Sequence, residues 1–109
     1  MDLEIFKALC DENRLRMINL LMHKELCVCE IEAVLGLTQS NASRHLNKLK
    51  TSGIVISKKQ SQWAHYSIAP EFISDNIKLY EHLKEKFSDQ VLFGNDIHKL
   101  NELEVDKRC

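Results

Sequence analysis

Apolar residues change their period along the chain, and each change marks an element. Leu3, Phe6 and Cys10 fall at helical spacing, and after the cap-type run Asp11-Glu12-Asn13 a second stripe of Leu15, Ile18 and Met22 recurs. A third helix is predicted from about Cys29 to Leu35, burying Ile31, Val34 and Leu35 and stopping at Gly36, which takes the left-handed conformation of a helix C-cap without strain. Thr38 is an N-cap for a fourth helix, Gln39 to about Lys50, with Ala42, Leu46 and Leu49 on its apolar face. Past Gly53 the period falls to two. Ile54 and Ile56 alternate with their neighbours, Lys58-Lys59-Gln60-Ser61-Gln62 makes a polar tip, and Ala64, Tyr66 and Ile68 alternate again, which is the pattern of a β-hairpin. Pro70 opens a last helical segment carrying Ile73, Ile77, Tyr80, Leu83 and Phe87 on one stripe. From Ser88 the pattern weakens, with Ile97, Leu100 and Leu103 enough for a short helix.

The third and fourth helices, joined by a tight turn at Gly36-Leu37-Thr38, predict a helix-turn-helix, and the hairpin that follows predicts its wing. The expected fold is mainly α with a small β-hairpin, a winged helix-turn-helix. A chain of 109 residues, 44% of them hydrophobic, has material for one core. We expect a DNA-binding and dimerisation domain over 1–87 and a tail over 88–109 that ends in Cys109. Since the core is already supplied, the stripe Ile73, Ile77, Tyr80, Leu83 and Phe87, with Leu3 and Phe6, is expected to pair with a second subunit in a homodimer.

Charge sharpens this reading. The net charge is only −1, but no Asp or Glu occurs from Ala33 to Pro70, where Arg44, Lys48, Lys50, Lys58 and Lys59 all lie. The other ten Lys and Arg residues share the rest of the chain with all 16 acids. A local basic face of this kind attracts a phosphate backbone. The candidate contacts with double-stranded DNA are Gln39, Ser40, Ser43, Arg44, Asn47 and Lys48 on the fourth helix, with Arg44 leading into the major groove, and Lys58 and Lys59 on the wing against phosphates. His45 and His65, inside these elements, are expected to serve structural hydrogen bonding or phosphate contact.

No apolar run reaches the ~18 residues of a membrane span, and the opening Met1-Asp2-Leu3-Glu4 lacks the flanks of a secretory signal, so no membrane partner and a cytoplasmic location are expected. In a reducing compartment the four cysteines point to metal binding or redox sensing before structural disulfides. Neither a Cys-x-x-Cys nor a nucleophile-base arrangement is present, so an enzyme is not expected and no organic cofactor is required. Cys27 and Cys29, next to the DNA-reading unit, are the candidate ligands. Soft thiolates select soft ions over hard cations. The alternatives are a thiol redox or persulfide sensor of the same fold and, further off, a metal carrier or thiol oxidoreductase without DNA binding.

Three passages, Phe6-Lys7-Ala8-Leu9-Cys10-Asp11-Glu12-Asn13-Arg14-Leu15-Arg16, Glu25-Leu26-Cys27-Val28-Cys29-Glu30-Ile31 and Leu37-Thr38-Gln39-Ser40-Asn41-Ala42-Ser43-Arg44-His45-Leu46, give the chain its likeness to a known group. Over about residues 3–87 it resembles the ArsR/SmtB family of metal-responsive repressors. That resemblance implies four helices ending in the recognition helix, two strands and a further helix, and a homodimer built from the first and last helices. It also implies an operator of twofold symmetry, bound in the metal-free state and released on metal binding. The Cys-Val-Cys element resembles that of members sensing arsenite, antimonite, cadmium or lead. Where some relatives carry a third cysteine a turn further on, this chain has Glu32. Cys109 is the expected third ligand and Cys10, for which packing is the competing role, the alternative. The family's zinc site on the last helix is not matched, because His82 follows Tyr80 and Asp96-Ile97-His98 holds only half of the pattern.

Overall fold

The computed structural model describes residues 2–60 and 63–106. The elements are α1 (Leu3–Leu9), α2 (Glu12–His23), β1 (Leu26–Cys27), α3 (Val28–Leu35), α4 (Gln39–Thr51), β2 (Val55–Gln60), β3 (Trp63–Ile68), α5 (Pro70–Asp75), α6 (Ile77–Ser88) and α7 (Val91–Asp106). Short polar side chains start the helices by taking up orphan backbone donors. Asp2 accepts from the Glu4 amide at 3.0 Å, Asp11 from the Arg14 amide at 3.0 Å and Thr38 from the Asn41 amide at 3.2 Å. Gly36, at φ 69°, closes α3, its amide donating to the Glu32 carbonyl at 2.8 Å. The chain is then redirected into α4 within three residues.

The fold is a winged helix-turn-helix of mainly helical content, with two departures from the sequence pattern. The hairpin gains a third strand, giving the antiparallel order β1-β3-β2, with Leu26 opposite Tyr66 and Cys27 opposite His65. Two residues are too few for a period to show. The helical segment opened by Pro70 is broken at Asn76, whose backbone (φ −135°, ψ 43°) leaves the helical region while its side-chain amide donates to the Phe72 carbonyl at 3.2 Å. An Asn side chain offers the backbone an alternative partner, which is why it interrupts helices more readily than its hydropathy suggests.

Met17, Ile18, Leu20, Leu26, Ile31, Leu46, Leu49 and Ile54 are fully buried and form one core under the helix-turn-helix. In α1 the buried positions are Ile5 and Ala8, whereas Leu3 and Phe6 face outward at 59% and 42% exposure. Cys10, at the C-cap of α1, is exposed, so the packing role expected for it is not realised. No helix among the described residues is long and apolar enough to cross a membrane.

The helix expected around Ile97, Leu100 and Leu103 runs for 16 residues as α7 and packs on α2 and α3. Phe93 and Leu100 are buried, and the Phe93 ring stacks on Phe87 with centroids 4.6 Å apart. Asp96, 1% exposed, takes a fork of two bonds from Arg16, at 2.8 Å from Nε and 2.9 Å from Nη2. The Arg16 guanidinium is held above its already high pKa chiefly by that hydrogen bond. Asn19 adds a bond from its amide nitrogen to the Phe93 carbonyl at 3.1 Å.

Removing one partner of a buried, bidentate ion pair leaves the other charge uncompensated. Asp96→Ala is expected to lower unfolding stability by about 3 kcal/mol. Guanidinium titration checks this, and a loss below about 1 kcal/mol would reduce the fork to an exposed pair.

Candidate metal centre and nucleic-acid interface

Cys27 is at once the last residue of β1 and the N-cap of α3, with extended dihedrals (φ −88°, ψ 165°). Its amide donates to Glu30 Oε1 at 2.9 Å, and its sulfur accepts from the Glu30 amide, a capping box with Cys in the place of Ser or Thr. This cap turns the sulfur toward the helix start, and the first turn brings Cys29 to the same side. The two Sγ atoms lie 3.0 Å apart, a spacing one ion can bridge. Cys27 is buried and Cys29 half-buried. Burial holds the Cys27 thiol above its ordinary pKa and the Glu30 carboxylate adds to this, against backbone N–H groups at Glu30 and Cys29 that favour the thiolate. A helix N-terminus usually promotes thiolate formation; here desolvation outweighs it.

Two soft donors on one turn suit a thiophilic ion and suit magnesium or calcium poorly. Among the described residues no three His, Cys, Asp or Glu side chains gather into a metal site, so Cys10 is not brought to the sulfur pair. Glu32, half-buried one turn along, offers only a hard carboxylate. Cys109 lies outside the described residues.

The recognition helix α4 keeps Ala42, Leu46 and Leu49 buried and exposes Gln39, Ser40, Asn41, Ser43, Arg44 and Asn47. Arg44 donates to Asn41 Oδ1 at 3.2 Å, which holds the guanidinium along the exposed face. Lys48, on the same side of the helix, has its Nζ 3.6 Å from Glu4 of α1, an exposed ion pair. In the wing Lys58 and Lys59 are both exposed, and as neighbours on a strand they project to opposite faces, Lys58 beside His65 and Lys59 beside Ala64. Ser61 and Gln62 of the expected tip lie outside the described residues.

Of the residues expected to pair two subunits, Leu3, Phe6 and Ile77 are exposed and Ile73, Tyr80 and Leu83 half-buried. Phe87 turns inward onto Phe93.

One cluster has no sequence signal. His45, 5% exposed, receives a hydrogen bond at Nδ1 from Arg14 Nη1 at 3.2 Å; Arg14 Nε also donates to the Ala8 carbonyl at 2.7 Å. Asp11 Oδ1 is 3.9 Å from the same imidazole nitrogen. Arginine only donates, so Nδ1 is the acceptor and the ring is neutral. Burial lowers the His45 pKa from its ordinary 6.5, and Arg44 and Arg14 add to this against the pull of Asp11. The cluster joins the recognition helix to the start of α2, across 31 residues between Arg14 and His45.

Fold and site together define a small winged helix-turn-helix regulator with a pair of cysteine sulfurs at the head of the helix that leads into its recognition helix. Residues 11–57 match the family described as bacterial regulatory protein, arsR family. The chain is 42% identical over 69 residues to the arsenical resistance operon repressor of Escherichia coli strain K12, covering 62% of this chain and 59% of that protein. With the cadmium resistance transcriptional regulatory protein CadC of Listeria innocua it is 39% identical over 82 residues, covering 74% of this chain and 69% of that one. The solved structure of HlyU from Vibrio cholerae superposes with a TM-score of 0.64 at 32% identity, covering 74% of this chain and 88% of that one. A homodimeric winged helix-turn-helix DNA-binding domain from Mycobacterium bovis gives 0.66 at 28% identity, over 76% and 77%. The chain belongs to the arsR family of bacterial regulatory proteins. It spans between about half and just under two thirds of the length of three arsenic-resistance regulators it matches.

The neutral, buried His45 gives a signed expectation for pH. Its folded pKa lies below 6.5, so beneath that pH the unfolded chain binds the proton that the folded chain refuses, and stability contributed above pH 6.5 is lost as pH falls toward the folded value. His45→Gln, measured by urea unfolding at pH 7.5 and 5.5, should show a smaller drop between the two than wild type. An equal drop would mean that His45 is not the group responsible.

Proposed function

We propose that the chain is a metalloid-responsive transcriptional repressor. It binds operator DNA of twofold symmetry as a homodimer in the ion-free state and lets go when arsenite or antimonite, or cadmium or lead, is taken up by Cys27 and Cys29. The observation that carries this reading is the sulfur pair, 3.0 Å apart on the first turn of the helix that leads into the recognition helix. The arsenic and cadmium resistance regulators among its relatives support the choice of ion.

Cys109 is the third ligand in this proposal. The packing of α7 on α3 supports it, since Cys109 follows the last residue of α7, Asp106, by three positions. With both cysteines reduced, ion uptake at the head of α3 replaces their thiol protons with the ion and pulls on the cap that sets the angle of α3. Because α3 and α4 are joined by only Gly36-Leu37-Thr38, a change at that cap reaches Gln39, Ser40, Ser43, Arg44 and Asn47 through a short, stiff turn. Lys58 and Lys59 contact phosphates, each on its own face of the wing, while Lys48, paired with Glu4, contributes to the field more than to contact. Leu3, Phe6, Ile73, Ile77, Tyr80 and Leu83 form the subunit contact.

An ion that releases DNA must bind the free dimer more tightly than the DNA-bound one, by about 1–3 kcal/mol of coupling in regulators of this kind. Operator fragments titrated with each ion test this directly. Cys27→Ser and Cys29→Ser should bind operator as wild type does and lose the response to all four ions, since a hydroxyl stays protonated and is a poor ligand for soft ions. Release of the double Ser variant at wild-type concentrations would overturn the site, and release by oxidants alone would transfer the function to thiol oxidation.

In the same assay Arg44→Ala should weaken operator binding by about 1–3 kcal/mol and blur sequence preference. Lys59→Ala should weaken all duplexes alike and flatten the salt dependence. If the Arg44 change affected operator and random DNA equally, the recognition face would lie elsewhere.

A further inference from the structure

Away from the sulfur pair and the basic face, α2, α6 and α7 enclose a cleft of about 520 Å³, within the size range of small-molecule sites. Its floor is the stacked pair Phe87 and Phe93, and Met22 and Ile97 form its apolar walls. Its polar groups are Asn19 and, exposed at the rim, Ser88, His23 and Lys84, and among the described residues the lining contains no carboxylate. An apolar interior with a cationic rim is complementary to one kind of ligand, an apolar body that ends in a single negative charge.

Gly94 is the second observation. It lies inside α7 without a positive φ, and a Cβ placed on it would meet nothing within 4 Å. Neither the backbone nor a close approach calls for glycine, and glycine in a helix interior is less stable than alanine. Gly94 is exposed and belongs to the lining of the cleft, with open space where its side chain would start.

We propose that this cleft is a binding site for a small amphipathic monocarboxylate, its chain against Met22, Phe87, Phe93 and Ile97 and its carboxylate at Lys84. The site uses none of the cysteines and is separate from the DNA-facing residues. It touches α6, whose half-buried Tyr80 and Leu83 belong to the proposed subunit contact, so occupancy bears on the same helix that would hold two copies together.

The test is calorimetric titration of the full chain with decanoate, kept below its micelle concentration, and with the neutral analogue decanol. Decanoate should bind saturably at one per chain. Gly94→Leu places a side chain in the open wall, so it should reduce binding at least tenfold while the circular dichroism and melting temperature are held or raised. Lys84→Gln should weaken decanoate by about two- to fivefold, the range of a solvent-accessible ion pair, and leave decanol unchanged. Absence of saturable binding, or binding that both variants leave intact, would overturn the proposal. So would sedimentation showing that Gly94→Leu dissociates a dimer, which would make a second copy the occupant of the cleft. Equal affinity for decanoate and decanol would likewise overturn the assignment of Lys84 as carboxylate partner.

Discussion

Everything that places the sulfur pair depends on two residues being held from both sides. Leu26 is driven into the core, and its pairing with Tyr66 fastens β1 to the wing strand β3. Cys27, next along, points to the other face and caps α3 with its own sulfur and amide. A strand only two residues long has little stability alone. It persists because hydrophobic burial at Leu26, the ladder to β3 and the capping box with Glu30 all fix the same few dihedrals. The sulfurs are therefore oriented by the scaffold itself, and a ligand using both would meet a lower ordering cost.

The same junction links the two elements of the candidate DNA interface, which are distant in sequence. The recognition helix is reached through α3 and its short turn, and the wing is reached directly through β3. A second tie runs from Arg14 and Asp11 at the start of α2 to His45 in the middle of α4. The recognition helix is thus anchored at its first turn by the turn after α3 and at its centre by a partly buried hydrogen bond. A helix held at two points in this way would answer a shift of α3 by a change of orientation.

Much of the fold was legible because its helices follow strong local rules. Asp11, Thr38 and Gly36 mark helix ends by chemistry that acts within three or four residues, and the apolar spacing of Ala42, Leu46 and Leu49 was sufficient to orient the recognition helix. The acid-free stretch from Ala33 to Pro70 was visible for the same reason. What escaped was non-local or too short to have a period: the two residues of β1, the break at Asn76, and the pairings of Arg14 with His45 and of Arg16 with Asp96. At the candidate site, the nearness of the Cys27 and Cys29 sulfurs could be read from their spacing, whereas the capping box that aims Cys27 could not. The inward turn of Phe87 depends on α7, whose weak amphipathic pattern concealed how closely it packs.

Arg16 and Asp96 are separated by 80 residues, and between them they fasten the last helix to the second. Chains are made from the N-terminus onward, and contacts of long sequence separation close late. During synthesis the faces of α2 and α3 that α7 will cover stay open until Phe93, Asp96 and Leu100 have left the ribosome. Until α7 docks, the helix-turn-helix therefore carries an uncovered apolar flank and an unpaired guanidinium.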